Sequence, residues 1–351
     1  MQLTMSVLDM YDIDEILRIM KNSSIFQNVS LQVKDPSAPR YIDTLQQISP
    51  AILLIDRIIS PIWYIIGFFG NILSAVIWFG KDNRKNSSAI YQGILAIVNI
   101  FFLLVHCLME LNYAWGIQVY DSPGACKVFN VFLMIPQYLC PMLVLAFTVE
   151  RYIAVCHPFK KKTFCTVKRA CIVSSCMLIN SISLASVQSY IWDYDPKKEL
   201  CAFLSYGNQE FEKIWTIITE VLHFLFIPLC VLVFNILVII EIRKMAARDT
   251  VRRFSGLSGS QTSTVTLLSV SFYFICTLLP ASIVYMMQSL LPPGKQMTLT
   301  KMMSDPVWQK YFQYLTIRKV VEEICLSNQA CYFFIYYATG RTFRRNVHEL
   351  L

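Results

Sequence analysis

Seven long apolar stretches decide most of what this chain can become. They run approximately from Ile58 to Phe79, Ala89 to Leu111, Lys127 to Cys156, Ala170 to Ile191, Ile214 to Ile240, Val265 to Gln288 and Phe312 to Ala338. A run of about 20 apolar residues matches the hydrocarbon thickness of a bilayer, where only a helix satisfies its own backbone polar groups along one segment. The expectation is an all-α, seven-transmembrane helix bundle. A composition of 55% hydrophobic and 15% charged residues agrees, because a soluble domain of 351 residues carries more charge. The seventh stretch is the least apolar. Arg318, Lys319, Glu322 and Glu323 stand near its start, so its first turns must face protein or water.

The connecting segments orient the bundle, since Lys and Arg beside a span are retained on the cytoplasmic side. Four segments carry them: Lys81 to Lys85, Lys160 to Arg169, Arg243 to Arg253, and Arg341 to Arg345. Sixteen bases, against four acids in or beside these segments (Asp82, Glu241, Asp249 and Glu349), make this side +12, and a whole-chain charge of +8 leaves −4 for the rest. The amino terminus is therefore expected outside and the carboxyl terminus inside. Residues 1–56 form an outer tail, 57–338 the helical bundle, and 339–351 a short amphipathic cytoplasmic helix and tail. Met1 to Met20 holds Asp9, Asp12, Asp14 and Glu15 and lacks a basic start followed by an apolar core, so the first span is expected to direct insertion. Asn22-Ser-Ser and Asn28-Val-Ser read as glycosylation sites of the outer tail; Asn86-Ser-Ser falls on the inner side. Most of the 12 cysteines lie inside apolar runs and act as small hydrophobes.

Specific motifs narrow the class. The third span ends Glu150-Arg151-Tyr152-Ile153-Ala154-Val155-Cys156-His157-Pro158, and Cys126 precedes Arg151 by 25 residues. Gly70-Asn71, Leu95-Ala96-x-x-Asn99, Pro228, Pro280 and Ser327-Asn328-x-x-x-Tyr332-Phe333-x-x-Tyr336 follow in order. In this order and spacing the chain resembles class A (rhodopsin-like) G-protein-coupled receptors from Ile58 onward.

That resemblance implies several roles. Glu150, Arg151, Tyr152 and Tyr336 would form the coupling switch, with the carboxylate holding the guanidinium until a heterotrimeric G protein competes for it. Cys126 would pair with Cys201 in the outer loop, an oxidising compartment. Pro228 and Pro280 would bend their helices in mid-membrane. The chain departs from the family pattern at Asn99, Cys140 and Tyr332-Phe333, where Asp, Ser and Asn-Pro are usual. A neutral amide and a thiol are poor ligands for a hard cation, which predicts weak sodium regulation. Phe274-Ile-Cys-Thr-Leu-Leu-Pro280 also lacks the usual sixth-span tryptophan. This run and the Asn-x-x-x-Tyr-Phe-x-x-Tyr ending look like invertebrate neuropeptide receptors of the FMRFamide type.

By the same resemblance, Glu110, Leu133, Gln137, Glu220, Tyr285 and Glu322 would line the ligand pocket. Leu133 stands where amine receptors have aspartate, and the middle of the seventh span has no retinal-binding lysine. Carboxylates around one cavity would attract a cationic ligand, such as an Arg-Phe-amide peptide. The alternative is that they pair internally with Arg318 or Lys319. A non-peptide ligand remains the runner-up within the family. A seven-span transporter or channel is the rival class, but neither an internal repeat nor polar residues through the full depth stand in its favour. Four scattered histidines give no metal spacing, and no nucleophile with a base supports an enzyme. No cofactor, metal or nucleic acid is expected. The expected partners at the plasma membrane are an extracellular peptide, a G protein, membrane lipids, arrestin and a receptor kinase. Ser255, after Arg252-Arg253-Phe254, is the phosphorylation candidate.

Overall fold

Caps and prolines cut the apolar runs into helices where the sequence changes character. The computed structural model describes residues 50–81, 83–196, 200–203, 209–249, 258–287, 291 and 303–350. Asn22, Asn28 and Ser255 lie outside them.

The first span is α1 (Pro50–Trp78) and the second α2 (Ser87–Tyr113), whose start is capped by the Asn86 side chain accepting from the Ser88 amide at 3.2 Å. The third is α3 (Ala125–Cys156), followed by the short inner helix α4 (Pro158–Phe164). Thr166 caps α5 (Val167–Ser186), and one further turn, α6 (Gln188–Ile191), leads into the outer loop. That loop is an antiparallel hairpin of β1 (Trp192–Asp195) and β2 (Leu200–Phe203), with Tyr194 opposite Cys201. The fifth span joins α7 (Gln209–Glu220) and α8 (Ile227–Asp249) through a wide turn at Val221–Phe226. The sixth is α9 (Ser258–Met287). Asp305, accepting from the Val307 and Trp308 amides, caps α10 (Pro306–Thr339), and α11 (Arg341–Leu350) follows Gly340.

Six of these helices are long and apolar enough to cross a membrane; α10 is long but charged. Its charges are buried: Arg318, Lys319 and Glu323 are all withdrawn from the surface. Helix α1 starts eight residues before Ile58, so the expected tail boundary at 56 falls inside it and places Asp56 in the bundle. Around the bundle, α1 packs on α2 and α10, α10 on α9, and α3 on α2, α5 and α8. At Gly67 a Cβ would run into Leu103 Cδ1 and stand 3.2 Å from the Ala330 Cα, so glycine is what lets α1 approach α2 and α10 so closely.

Pro228 has no amide to donate to the carbonyl four residues earlier. The backbone widens into the π turn just before it, and Phe224 O accepts from the Ser282 hydroxyl of α9 instead. An orphaned carbonyl thus becomes a bond between the fifth and sixth spans.

Candidate functional site

Between the outer halves of α3, α7, α9 and α10, roofed by Trp192 of the hairpin, lies a cavity of about 1080 Å³ including its mouth. Gln137, Glu220, Tyr285 and Glu322 line it together, as do Gln188, Gln329 and His106. Glu110 and Leu133 are not on its wall. Glu110 is drawn towards α10, 3.3 Å from Lys319 Nζ. Leu133 is fully buried against Val105, Met109, Tyr138 and Ala185, because α3 turns that face towards α2 and α5.

The carboxylates are not all open to a ligand. Arg318 Nε meets Glu322 Oε1 at 2.8 Å, while the guanidinium lies over the Tyr285 ring at 4.6 Å and the Tyr285 hydroxyl donates to Glu322 at 3.2 Å. Lys319 Nζ pairs with Asp56 of α1 and reaches Glu110 of α2, Glu323 at 3.5 Å and Glu322 at 3.8 Å. Ser60 also donates to Glu323 at 2.8 Å. Internal pairing therefore accounts for Glu110, Glu322 and Glu323. Glu220 differs: it lines the cavity and forms no ion pair or side-chain hydrogen bond among the described residues. Within the group formed by Asp56, Glu110, Glu220, Glu322 and Glu323 with Arg318 and Lys319, the acids outnumber the bases and the local charge is negative.

The hairpin is fastened at three points. Cys126 and Cys201 are joined by a disulfide, with Cα atoms 5.4 Å apart. The Cys201 amide donates to Asp121 at 2.8 Å. Lys127 Nζ stands 2.9 Å from Asp193, and this hydrogen-bonded ammonium lowers the Asp193 carboxyl below its ordinary pKa.

At the opposite end, Glu150 Oε1 accepts from Ser87 at 2.7 Å and Ser88 at 2.8 Å, and Arg151 donates to the Ser88 hydroxyl at 2.9 Å. The contact expected between adjacent carboxylate and guanidinium runs through Ser88, because consecutive helical side chains diverge and α2 supplies the hydroxyl. Tyr152 packs on Phe234 of α8 at 5.3 Å. Tyr336 is buried between Trp78 and Phe343, tying α10 to α1 and α11.

In the centre, Cys140 donates to Asn99 Oδ1 at 3.4 Å, and Asn99 donates to Asn71 at 3.3 Å. Asn71 in turn donates to the Gly67 and Gln329 carbonyls. Tyr332 donates to Asn328, which reaches Thr277 of α9. Neutral amides and hydroxyls bond one another here, and no group of three metal-ligating side chains occurs among the described residues.

The pairings within α10 had a legible signal, since Arg318 to Glu322 and Lys319 to Glu323 are both i,i+4. Gln188, Gln329 and His106 gave no motif. His106 is buried and bonded to the Tyr64 hydroxyl at 2.8 Å, a contact across 42 residues.

Known proteins agree with this architecture. The family model described as 7 transmembrane receptor (rhodopsin family) matches residues 70–316. A neuromedin U receptor homolog, nmur-2 of Caenorhabditis elegans, is 29% identical over 126 residues, 35% of this chain and 31% of the relative. G-protein coupled receptor 68 of Mus musculus is 26% identical over 249 residues, 67% and 64% of the two chains. The thyrotropin-releasing hormone receptor of Homo sapiens is 30% identical over 134 residues, 38% and 32% of the two chains. The aligned parts thus span from about a third to just under two thirds of these relatives. With a match across most of its length and a helical bundle to carry it, the chain belongs to the rhodopsin family of seven-transmembrane receptors, multi-pass proteins of the plasma membrane.

Proposed function

We propose that this receptor is activated by a small cationic peptide, of which an Arg-Phe-amide is the working example, and passes the signal to a heterotrimeric G protein. The observation that carries the ligand class is Glu220, a cavity-lining carboxylate without an ion-pair partner among the described residues. On the same cavity, Glu322 is already held by Arg318. A ligand guanidinium or ammonium would find one open carboxylate and a negative surround. Relatives named as receptors for neuromedin U and thyrotropin-releasing hormone support a signalling ligand of this kind.

Ligand binding would favour a form of the bundle whose inner ends part. Arg151 is the coupling residue in this reading. Its bond to Ser88 stores it against α2 in the present form, and release would turn the guanidinium towards the G protein. Lys160, Lys161 and Lys162 extend the docking surface and also meet anionic lipid. Arrestin and a receptor kinase would act on the same inner face. The test is a second-messenger assay in cells expressing the full chain against a peptide library, with Arg151→Ala as control. A response to cationic amidated peptides that Arg151→Ala removes is expected. Activation by an amine or lipid alone, or current without G protein, overturns the reading.

A further inference from the structure

One polar side chain stands where a bilayer gives it nothing to bond. The fourth span, α5 continued by α6, is the least covered by its neighbours of the six apolar spans. Ala170, Ser174, Ser181 and Ala185 turn into the bundle, while Cys176, Asn180 and Ser183 are exposed on the outward side. Asn180 lies near the middle of Val167–Ile191, so its carboxamide sits at mid-depth, about 16–20 Å from either end at 1.5 Å per residue. From there its short side chain reaches neither water nor headgroups, and lipid tails supply no donor or acceptor.

The serines along this exposed side need nothing from outside. Ser183 donates to the Ile179 carbonyl at 3.0 Å, Ser186 to Ser183 and Ser189 to Ser186, each at 2.7 Å. Asn180 has no such outlet. Its amide nitrogen reaches the thioether of Met142 in α3 at 3.7 Å, a weak acceptor, and its oxygen meets no donor among the described residues. An amide placed in hydrocarbon without a hydrogen bond is strongly unfavourable.

We infer that Asn180 is the centre of a self-association face, through which α5 packs against α5 of a second copy of this chain. The membrane holds all copies in one orientation, so a two-fold axis along its normal brings identical residues together at identical depth. A carboxamide carries both donor and acceptor, and two of them across the axis satisfy each other by reciprocal N–H to oxygen bonds. Cys176 and Ser183 lie one turn to either side of Asn180 on the same face, and both are small enough to let the backbones approach within reach of that pair. A different membrane protein would need its own amide or hydroxyl at this depth; a second copy supplies it. Cys176, Asn180 and Ser183 are not on the cavity wall, so association is measurable apart from ligand binding.

The test uses the purified full chain in phosphatidylcholine vesicles, half of the copies carrying a donor dye and half an acceptor dye at the carboxyl terminus. Energy transfer is followed as added lipid dilutes the protein. Wild type is expected to associate, and Asn180→Leu to need about tenfold higher density for the same transfer. Asn180→Gln keeps the carboxamide and should stay within about threefold of wild type. Asn180→Leu places an apolar side chain against lipid, so its unfolding temperature should hold or rise, which separates lost association from misfolding. In the same vesicles, oxidation by copper phenanthroline should join two chains through Cys176, and Cys176→Ser should remove the cross-linked product. No density-dependent transfer in wild type, equal association of wild type and Asn180→Leu, or undiminished cross-linking in Cys176→Ser overturns the inference. Association seen in cells but lost with the purified chain assigns the face to a different protein and overturns it as well.

Discussion

Lys319 of α10 pairs with Asp56 of α1, and the same ammonium lies 3.3 Å from Glu110 of α2. One cation thus neutralises carboxylates from three helices, and the packing of α1 and α2 against α10 depends on it at the outer end. Removing one partner of a buried ion network leaves the remaining charges uncompensated, which costs about 3–5 kcal/mol. Lys319→Met should therefore lower the unfolding temperature sharply and reduce surface expression. A variant with wild-type stability would show that the cluster is not held by its charge.

Glu220 and Glu322 should respond differently to the same change. Glu220→Gln removes a charge that has no ion pair among the described residues, so stability holds or rises while the potency of a cationic agonist falls by roughly 10- to 100-fold. Glu322→Gln removes the carboxylate that Arg318 pairs with and should destabilise the fold as well. Paired measurement of agonist potency and thermal unfolding separates the two; equal loss of stability in both variants would refute the distinction.

Ser88 joins Glu150 to Arg151, so Ser88→Ala should weaken the hold on the guanidinium and raise signalling in the absence of agonist. A neutral hydrogen bond is worth about 1 kcal/mol, and one to a charged group somewhat more. The expected rise is therefore several-fold in the active population, read as basal second-messenger level at matched surface expression. Unchanged basal activity would assign the serine to packing alone.

The hydrogen-bonded centre at Asn71, Asn99 and Cys140 offers sodium no carboxylate. Replacing sodium by an organic cation at equal ionic strength should change agonist affinity by less than about threefold. A large drop caused specifically by sodium would contradict this.

Lys127 lowers the pKa of Asp193 at the base of the hairpin. A depressed carboxyl pKa contributes stability above its unfolded value, and this is lost as pH falls through the lowered folded value. The stability gap between wild type and Lys127→Met should therefore be present at neutral pH and vanish below the ordinary carboxylate range. Both side chains are about 40% exposed, so solvent screening limits the gap to about 0.2–1 kcal/mol. Thermal unfolding across pH measures it, and a gap independent of pH would remove Asp193 from the account.

Much of the fold was legible because its signals are local. Apolar length marked the spans, and contiguous motifs marked Glu150, Arg151, Tyr152 and Tyr336. The resemblance carried by those motifs supplied the Cys126 and Cys201 pair, which the structure joins. Gln137, Glu220, Tyr285 and Glu322 do share a cavity. Glu110 and Leu133 were expected there by the same resemblance, and a resemblance does not fix which neighbour a side chain meets. Lys319 reaches Glu110 from across 209 residues, and α3 turns Leu133 into a packed interface. Gln188, Gln329 and His106 left no trace in the motifs, because a place on a cavity wall is defined only by what surrounds it.

By itself the sequence determined that this chain crosses a membrane as helices, which end carries the basic loops, and which receptor family it resembles. Those conclusions rest on hydrocarbon thickness, charge asymmetry and short-range spacing, which are properties of segments. Only the tertiary structure decided how the outer carboxylates are used. Whether an acid attracts a ligand or holds the bundle together depends on the bases within about 4 Å of it, and those come from other helices. In this protein they draw Glu110, Glu322 and Glu323 into a paired cluster around Arg318 and Lys319 and leave Glu220 without an ion pair among the described residues.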